Sequence, residues 1–330
     1  MLRRDSSSHW AADAVLLGVS VFWGTSFAII KEALGDTTPA NLLFIRFLFA
    51  CLLLLPFGWR RRETWSREFL KPGIITGSFL FTAFLTQAWG LAFTSASRSG
   101  LITGLSVILV PLLSILILRR MPARPAMVGA GLAFFGLYLL TSADEAQSLP
   151  FNWGDFLTLI CAFFWAGHIL ALGRYSPGGD AFWLTFIQLA TSCLGSLGWV
   201  ILTGDLNLRL PPGVYGAAFY LALTCTVLAY LGQTWAQGRT TPTRTAIILS
   251  MEPVFAAMFA WAWLGERMGL WGWMGAGLIL IGILLAEWDS LRGKIQARGP
   301  RTEDRGGRNQ EAGFRNQESG SRNRKRRFGS

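Results

Sequence analysis

The sequence has few charged residues, few histidines and few cysteines, and these shortages exclude several classes of protein. Only 15% of its 330 residues are Asp, Glu, Lys or Arg, whereas 52% are hydrophobic. Its two histidines and four cysteines (Cys51, Cys161, Cys193 and Cys225) lack the spacing of a metal-binding or catalytic motif. The nucleotide-binding pattern G-x-x-x-x-G-K-[ST] is absent as well. We therefore expect no enzyme active site, no ATPase, no metal and no cofactor.

Long apolar segments occupy most of the chain instead. Each is close to 20 residues long and almost free of charge, and a helix of that length crosses a hydrocarbon core roughly 30 Å thick. A water-soluble protein would need loops long enough to cover ten such helices, and the loops here are short. The segments are 12–32, 40–58, 72–92, 98–118, 125–141, 153–173, 181–202, 213–235, 245–264 and 271–287. They predict an all-α integral membrane protein with ten transmembrane helices.

The second half of the sequence repeats the first. Matched pairs are Asp13/Asp155 and Trp23/Trp165 at an offset of 142 residues, and Gln87/Gln233, Trp89/Trp235, Thr94/Thr240 and Arg98/Arg244 at an offset of 146. Each repeat holds five spans, so the second enters the membrane from the opposite side and the repeats are inverted. The predicted organisation is a first repeat at 1–141, an external linker at 142–152 and a second repeat at 153–287.

The net charge of +11 is concentrated in one set of alternate loops and in the C-terminal tail, 288–330. Lys and Arg accumulate on the cytoplasmic side of membrane proteins, so both termini are predicted to be cytoplasmic. The charge is thus a topology signal, and we expect no nucleic-acid partner. The tail is polar and predicted to be disordered; its Arg322–Arg327 run either contacts anionic lipids or is merely solvated.

Four stretches of the sequence carry a resemblance to a known family. They are WGTSFAIIKEAL (23–34), TSASRSGLITGLSVILVPLL (94–113), MEPVFAAMFAWAWLGERM (251–268) and GAGLILIGILL (275–285). They resemble the EamA family of the drug/metabolite transporter superfamily. The resemblance implies a ten-helix transporter in a bacterial inner membrane, often an exporter of amino acids, related metabolites or toxic compounds.

Arg46 is a charged residue inside a predicted span. It lies about 10 Å along the second helix from Pro39, at about 1.5 Å per residue. A charge at this depth is costly and usually faces a cavity or a partner. Arg46 either receives an anionic group of a substrate or has a structural role, in which it caps helix carbonyls or snorkels outward. Its counterpart in the second repeat is the neutral Gln188, a second candidate substrate-binding residue.

Glu252 and two prolines are candidate gating or coupling residues. Glu252 is the carboxylate well inside a span, and its counterpart in the first repeat is Ser106. Structure or gating is favoured for it over proton coupling. Pro111 and Pro253 each remove a helical hydrogen bond, which can free carbonyl groups to line a cavity.

Three aromatic side chains complete the candidate substrate site. The matched Trp23 and Trp165 lie near the middle of their helices, although tryptophan prefers the membrane interface. They either line a pocket or fill the core. His168 lies one turn beyond Trp165 and either contacts a substrate or bonds a neighbouring helix.

Some matched pairs are expected to be structural. Asp13 and Asp155 are predicted to begin helices, where a negative charge is favourable. Threonine hydroxyls at Thr94 and Thr240 are available for helix caps. The glycines predicted to allow close helix packing are Gly129, Gly131, Gly136, Gly275, Gly277 and Gly282.

Together these features predict a secondary transporter that exports a small polar or amphipathic metabolite by alternating access. The alternative is a membrane scaffold or regulatory protein that acts through its basic tail. A lipid-modifying enzyme would need clustered acid and base residues at one interface, and the sequence has no such cluster. The substrate, the coupling ion and the choice between monomer and oligomer stay open.

Overall fold

The computed structural model describes residues 6–91, 93, 99, 102–119, 121–141, 151–255, 258–259 and 269–297. All regular elements among these residues are helical. The main helices are α1 (Ser6–Ala33), α2 (Pro39–Arg60), α3 (Leu70–Leu91), α4 (Ser106–Leu118), α5 (Arg124–Thr141), α6 (Trp153–Tyr175), α7 (Ala181–Thr203), α8 (Pro212–Gln237), α9 (Pro242–Leu249) and α10 (Leu270–Ala297).

The chain divides into two compact units, Met1–Asp289 and Ser290–Ser330. Within the second unit, the described residues 290–297 are helical, where the sequence predicted a disordered tail. The remainder of the predicted tail, including the Arg322–Arg327 run, lies outside the described residues, as does most of the predicted external linker.

Five helices in the described part of the chain are long and apolar enough to cross a membrane. They are Pro39–Arg60, Arg67–Gly90, Trp153–Tyr175, Ala181–Thr203 and Pro212–Gln237. Three shorter apolar helices are Ile102–Ile117, Arg124–Leu139 and Leu270–Leu285. The length and composition of these helices support a multi-pass membrane protein, while the predicted total of ten spans stays a prediction.

The helix starts follow the local sequence. Asn152 caps α6 reciprocally with Asp155: each side chain accepts a hydrogen bond from the other's backbone N–H, at 3.0 and 2.9 Å. The prediction that Asp155 begins a helix is thus confirmed. Thr241, rather than Thr240, caps α9, since its hydroxyl accepts from the backbone N–H of Arg244 at 3.3 Å. Thr94 lies outside the described residues.

The prediction that Asp13 begins a helix is wrong. Helix α1 starts at Ser6, so Asp13 lies well inside it. Its carboxylate forms an ion pair with the guanidinium of Arg244 on α9, and both side chains are buried. A buried charge needs such a partner, and this one joins the first half of the chain to the second.

Contacts between the two halves occur in exchanged pairs. Helix α3 packs on α6 and α7, and α8 correspondingly packs on α1 and α2. Likewise α4 packs on α6, and α9 packs on α1. Two further pairs, α2 with α7 and α4 with α9, join corresponding helices of the two halves. This is the contact pattern of an interface with two-fold symmetry, here formed within one chain.

Helices α5 and α10 cross closely at glycines, and this crossing has the same symmetry. A Cβ at Gly136 would lie 2.6 Å from the carbonyl oxygen of Gly275, and a Cβ at Gly282 would lie 2.5 Å from that of Gly129. The role in close packing is therefore confirmed for Gly136 and Gly282, while for Gly129 and Gly275 it stays a prediction. It is wrong for Gly131 and Gly277, where an added Cβ would meet nothing within 4 Å.

Two helix breaks occupy corresponding positions in the repeats. Leu105 forms a turn between helical residues 102–104 and α4, and Ser250 and Met251 form a turn between α9 and helical residues 252–255. Leu105 and Met251 are 146 residues apart, the offset of the repeat. Pro253 follows its break closely, whereas Pro111 lies inside the continuous helix α4.

Candidate functional site

Five ring side chains from both halves meet in the middle of the bundle and form what we call the aromatic cluster. The cluster consists of Trp23 on α1, Phe84 on α3, Trp165 and His168 on α6, and Tyr230 on α8. The ring of Trp23 lies 5.9 Å from that of Trp165 and 5.6 Å from that of Tyr230. Phe84 lies 5.2 Å from Trp165. Because Trp165 and His168 are three residues apart on one helix, they share a face and both reach the cluster.

Helix α8 changes its geometry next to this cluster. Residues Leu223–Leu228 form a π-helical segment, in which Ala229 donates to the carbonyl of Thr224, five residues earlier. Such a wide turn frees carbonyl groups from the regular helical pattern. The carbonyl oxygen of Cys225 accepts a hydrogen bond from the indole N–H of Trp23 at 3.0 Å. Through this hydrogen bond, the π-helical segment fixes the indole of Trp23 from the first half against the second half of the chain.

Arg46 is held by the same segment. Its Nε donates to the hydroxyl of Thr226 at 2.6 Å, and its Nη2 donates to the carbonyl of Cys225 at 3.0 Å. The Thr226 hydroxyl in turn donates to the carbonyl of Leu221, so its lone pairs face the guanidinium. The guanidinium lies over the Phe84 ring at 4.8 Å. The carbonyl-capping role of Arg46 is thus present, while Nη1 has no hydrogen-bond partner in the described part of the chain.

A narrow pocket opens beside Arg46. Its polar lining residues are Arg46 and Gln87, and its other walls are apolar residues of α1, α2, α3 and α8. The cavity volume of about 50 Å³ holds a few water molecules at most. This conformation therefore encloses the site closely around Arg46 and Phe84.

Gln188 contacts His168 rather than Arg46, its counterpart in the repeat. The Oε1 of Gln188 lies 2.9 Å from the Nε2 of His168. Its Nε2 donates to the hydroxyl of Thr234 at 3.2 Å, and Thr185 donates to the same hydroxyl at 3.0 Å. Both ends of the Gln188 amide are thus bonded, one to His168 and the other to Thr234.

Three polar atoms of the cluster are buried without a hydrogen-bond partner of oxygen or nitrogen among the described residues. They are Nε1 of Trp165, Nδ1 of His168 and the hydroxyl of Tyr230. An unsatisfied buried polar group costs about 1–3 kcal/mol. The ring of His168 contacts those of both Trp165 and Tyr230.

Glu252 lies at the break that follows α9. Its carboxylate interacts electrostatically with Arg46 and with Tyr230. It has no hydrogen bond or ion pair with the described residues, and it is partly exposed. Two ionisable side chains that are far apart in the sequence are therefore within electrostatic range of each other in the bundle.

Sequence reasoning missed three residues of this site. Tyr230 carried a usable signal, because a tyrosine in the middle of an apolar span is unusual in the way that Trp23 is. Phe84 and Thr226 carried none, since both residue types are common in membrane helices. Among the residues described, no group of three or more His, Cys, Asp or Glu side chains could hold a metal ion.

Comparisons with known proteins agree with this architecture. The model of the EamA-like transporter family matches the chain twice, at residues 10–142 and 152–288. An uncharacterized transporter of Archaeoglobus fulgidus is 32% identical over 276 residues, which cover 83% of this chain and 85% of that protein. The uncharacterized transporter YyaM of Bacillus subtilis is 27% identical over 286 residues, covering 82% of this chain and 92% of that protein.

A solved crystal structure has the same fold. It matches with a TM-score of 0.73 at 18% identity, covering 86% of this chain and 99% of that one.

Proposed function

The chain belongs to the EamA-like transporter family, and we propose that it is a secondary transporter that exports a small organic solute by alternating access. The solute class is an amino acid or a related polar or amphipathic metabolite. The membrane-spanning helices and the transporter relatives support a membrane transporter. Transport is driven by a gradient and requires no cofactor of its own.

The proposed architecture has ten transmembrane helices in two inverted five-helix repeats, with both termini in the cytoplasm. The exchanged helix contacts, the reciprocal glycine crossing of α5 and α10 and the matched breaks at Leu105 and Met251 support the repeat relation. The location of Lys and Arg supports the orientation in a bacterial inner membrane.

One observation carries the proposed binding site: the aromatic cluster and Arg46 lie where the two halves of the chain meet. A solute bound between Trp23 and Trp165 would contact both halves at once, so a rocking motion of the halves would open the site to either side in turn. The Nη1 of Arg46 would receive an anionic group of the solute, while the rings contact its apolar part. Gln188 would act through His168.

Glu252 and Pro253 would act as a gate. They follow the break at Ser250–Met251, and Pro253 has no N–H with which to bond the carbonyl of Leu249. A helix interrupted in this way can change direction without breaking further hydrogen bonds. Because Glu252 interacts electrostatically with Arg46, a movement of residues 252–255 would change the electrostatic potential at the proposed anion site.

A metabolite screen tests the proposed function. Cells that lack the protein and cells that overproduce it are compared for the intracellular and medium concentrations of small solutes. An exporter predicts that at least one solute rises inside the deficient cells and rises in the medium of the overproducing cells. The reverse change would establish import. No change in any solute, with the protein present in the membrane, would contradict a transporter.

Removal of the tail separates the transporter from a scaffold. A chain that lacks residues 298–330 should move the same solute at the wild-type rate, because the proposed site lies within 6–255. Loss of all effects on the cells, with the truncated protein still inserted, would favour a scaffold that acts through its tail.

A further inference from the structure

We propose that Cys51 and Cys193 form a redox site, at which a hydroperoxide joins the two halves of the chain by a disulfide, and that the joined protein still transports. This inference rests on the proposed function of a transporter built from inverted repeats. It gives a chemical role to two cysteines that the proposed solute site does not use.

Cys51 and Cys193 are counterparts in the repeat, and they contact each other. Their separation in the sequence is the offset of 142 residues that also relates Trp23 to Trp165. Cys51 lies on α2 and Cys193 on α7, two corresponding helices that pack together. The two thiols lie within hydrogen-bonding reach of each other. A residue that contacts its own counterpart lies at the two-fold axis, so this pair marks the axis that relates the repeats.

Polar contacts at both ends of α2 and α7 support this position. At one end Arg61 forms an ion pair with Asp180 at 3.0 Å, and at the other the side-chain amide of Asn41 donates to the carbonyl of Asn207 at 2.8 Å. Each cysteine lies close to halfway between these two contacts along its own segment of the chain. The two helices are therefore antiparallel, and the cysteines meet near the middle of their contact.

This pair is the most accessible of the cysteines to a reagent dissolved in the membrane. Cys51 is half-buried and Cys193 is 9% exposed, whereas the other two cysteines are fully buried. The next residues, Leu52 and Leu194, are 52% and 69% exposed, so the pair lies close to the surface that would face lipid. Cys51 is about 18 Å along α2 from Pro39, near the middle of a hydrocarbon core roughly 30 Å thick. A lipid-soluble oxidant reaches this depth, while polar reductants stay in the water.

The reaction needs two thiols and one hydroperoxide. One thiol attacks the peroxide and breaks its O–O bond, which leaves a sulfenic acid on the sulfur and releases an alcohol that has taken up the thiol proton. The second thiol then displaces water from the sulfenic acid and forms the S–S bond. The two sulfurs are oxidised by two electrons in total, and the peroxide is reduced to alcohol and water. Contact between the thiols is what this second step requires, because cysteines that are far apart would need backbone movement.

The joined protein keeps both access states for a reason of symmetry. Because the repeats are inverted, an exchange of conformation between the halves moves the opening from one side of the membrane to the other. The exchange replaces the distance from Cys51 to Cys193 by the distance from Cys193 to Cys51, which is the same distance. A bond between these counterparts therefore fits both states.

Thiol counting after oxidation tests the redox site. The purified protein in proteoliposomes is treated with cumene hydroperoxide and unfolded in SDS, and its free thiols are counted with a maleimide reagent. The wild type has four cysteines and should lose two thiols, which dithiothreitol restores. Mass spectrometry should find the peptides of Cys51 and Cys193 joined. Cys51→Ala and Cys193→Ala are the matched controls and should form no disulfide.

Flux through the same proteoliposomes tests the symmetry argument. The solute found in the metabolite screen is followed before and after oxidation, and we expect the joined wild type to keep the flux of the reduced protein to within about twofold. Cys51→Ala, treated in the same way, reports any loss of flux from oxidation elsewhere in the chain.

The outcomes separate the two claims from the proposed function. The lack of a joined peptide would overturn the redox site. A joined protein that loses its flux, and regains it with dithiothreitol, would overturn the position of the pair at the axis. Absent flux in the reduced wild type counts against the proposed transport function instead.

Discussion

Replacing Thr226 by valine tests whether the π-helical segment of α8 positions Arg46. Valine keeps the shape of threonine and removes the hydroxyl that accepts from Nε of Arg46 at 2.6 Å. Hydrogen bonds between membrane helices contribute about 0.6–2 kcal/mol, with charge-assisted bonds at the upper end. If that energy holds the guanidinium ready for the solute, its loss should raise KM by about threefold to thirtyfold.

The assay is solute uptake into proteoliposomes, with KM and the maximal rate measured separately. Thr224→Val is the matched control, because Thr224 lies on the same segment and its hydroxyl donates to the carbonyl of Tyr220. Thr226→Ser should restore the wild-type KM, since it restores the hydroxyl. An unchanged KM in Thr226→Val would refute the positioning role, and an equal effect of Thr224→Val would assign the change to the helix rather than to Arg46.

Three further predictions concern the rest of the bundle. Gly282→Val should abolish folding, since its Cβ would lie 2.5 Å from a backbone oxygen of α5, whereas Gly277→Val should be tolerated; yields of folded protein in detergent check both. Asp13→Asn should cost about 3–5 kcal/mol by removing the buried ion pair of Arg244. If the midpoint of thermal unfolding of Asp13→Asn in detergent equals that of the wild type, the expected loss of stability is contradicted. Glu252→Gln should slow transport in liposomes yet keep its response to a pH gradient, and a lost response would make Glu252 the proton carrier.

The overall fold was largely predictable because it depends on patterns that repeat along the sequence. Apolar segments of about 20 residues report helices, and the 146-residue offset located the glycines of the α5–α10 crossing. The same logic failed where a feature depends on a distant partner. Asp13 was expected to begin a helix, yet α1 begins at Ser6 and Asp13 is paired with Arg244.

The candidate site was predictable only in part, for the same reason. Polar or bulky residues in the middle of a span are costly, and that cost identified Arg46, Trp23 and Trp165. The contacts that join them come from the carbonyl of Cys225 in the π-helical segment. The π-helical segment Leu223–Leu228 packs against α1 and α2, and the hydroxyls of Thr224 and Thr226 donate to carbonyls of the preceding turn. Such a turn has no established sequence pattern from which these contacts could be predicted.

The central claim is that this chain moves a small solute through a site at Arg46. The most direct measurement is flux of the solute found in the screen, with purified protein in liposomes, for the wild type, Arg46→Ala and Arg209→Ala. Arg209 is exposed and serves as the matched loss of one positive charge. The account predicts saturable flux in the wild type and in Arg209→Ala, and none in a folded Arg46→Ala. Equal flux in all three proteins would contradict it.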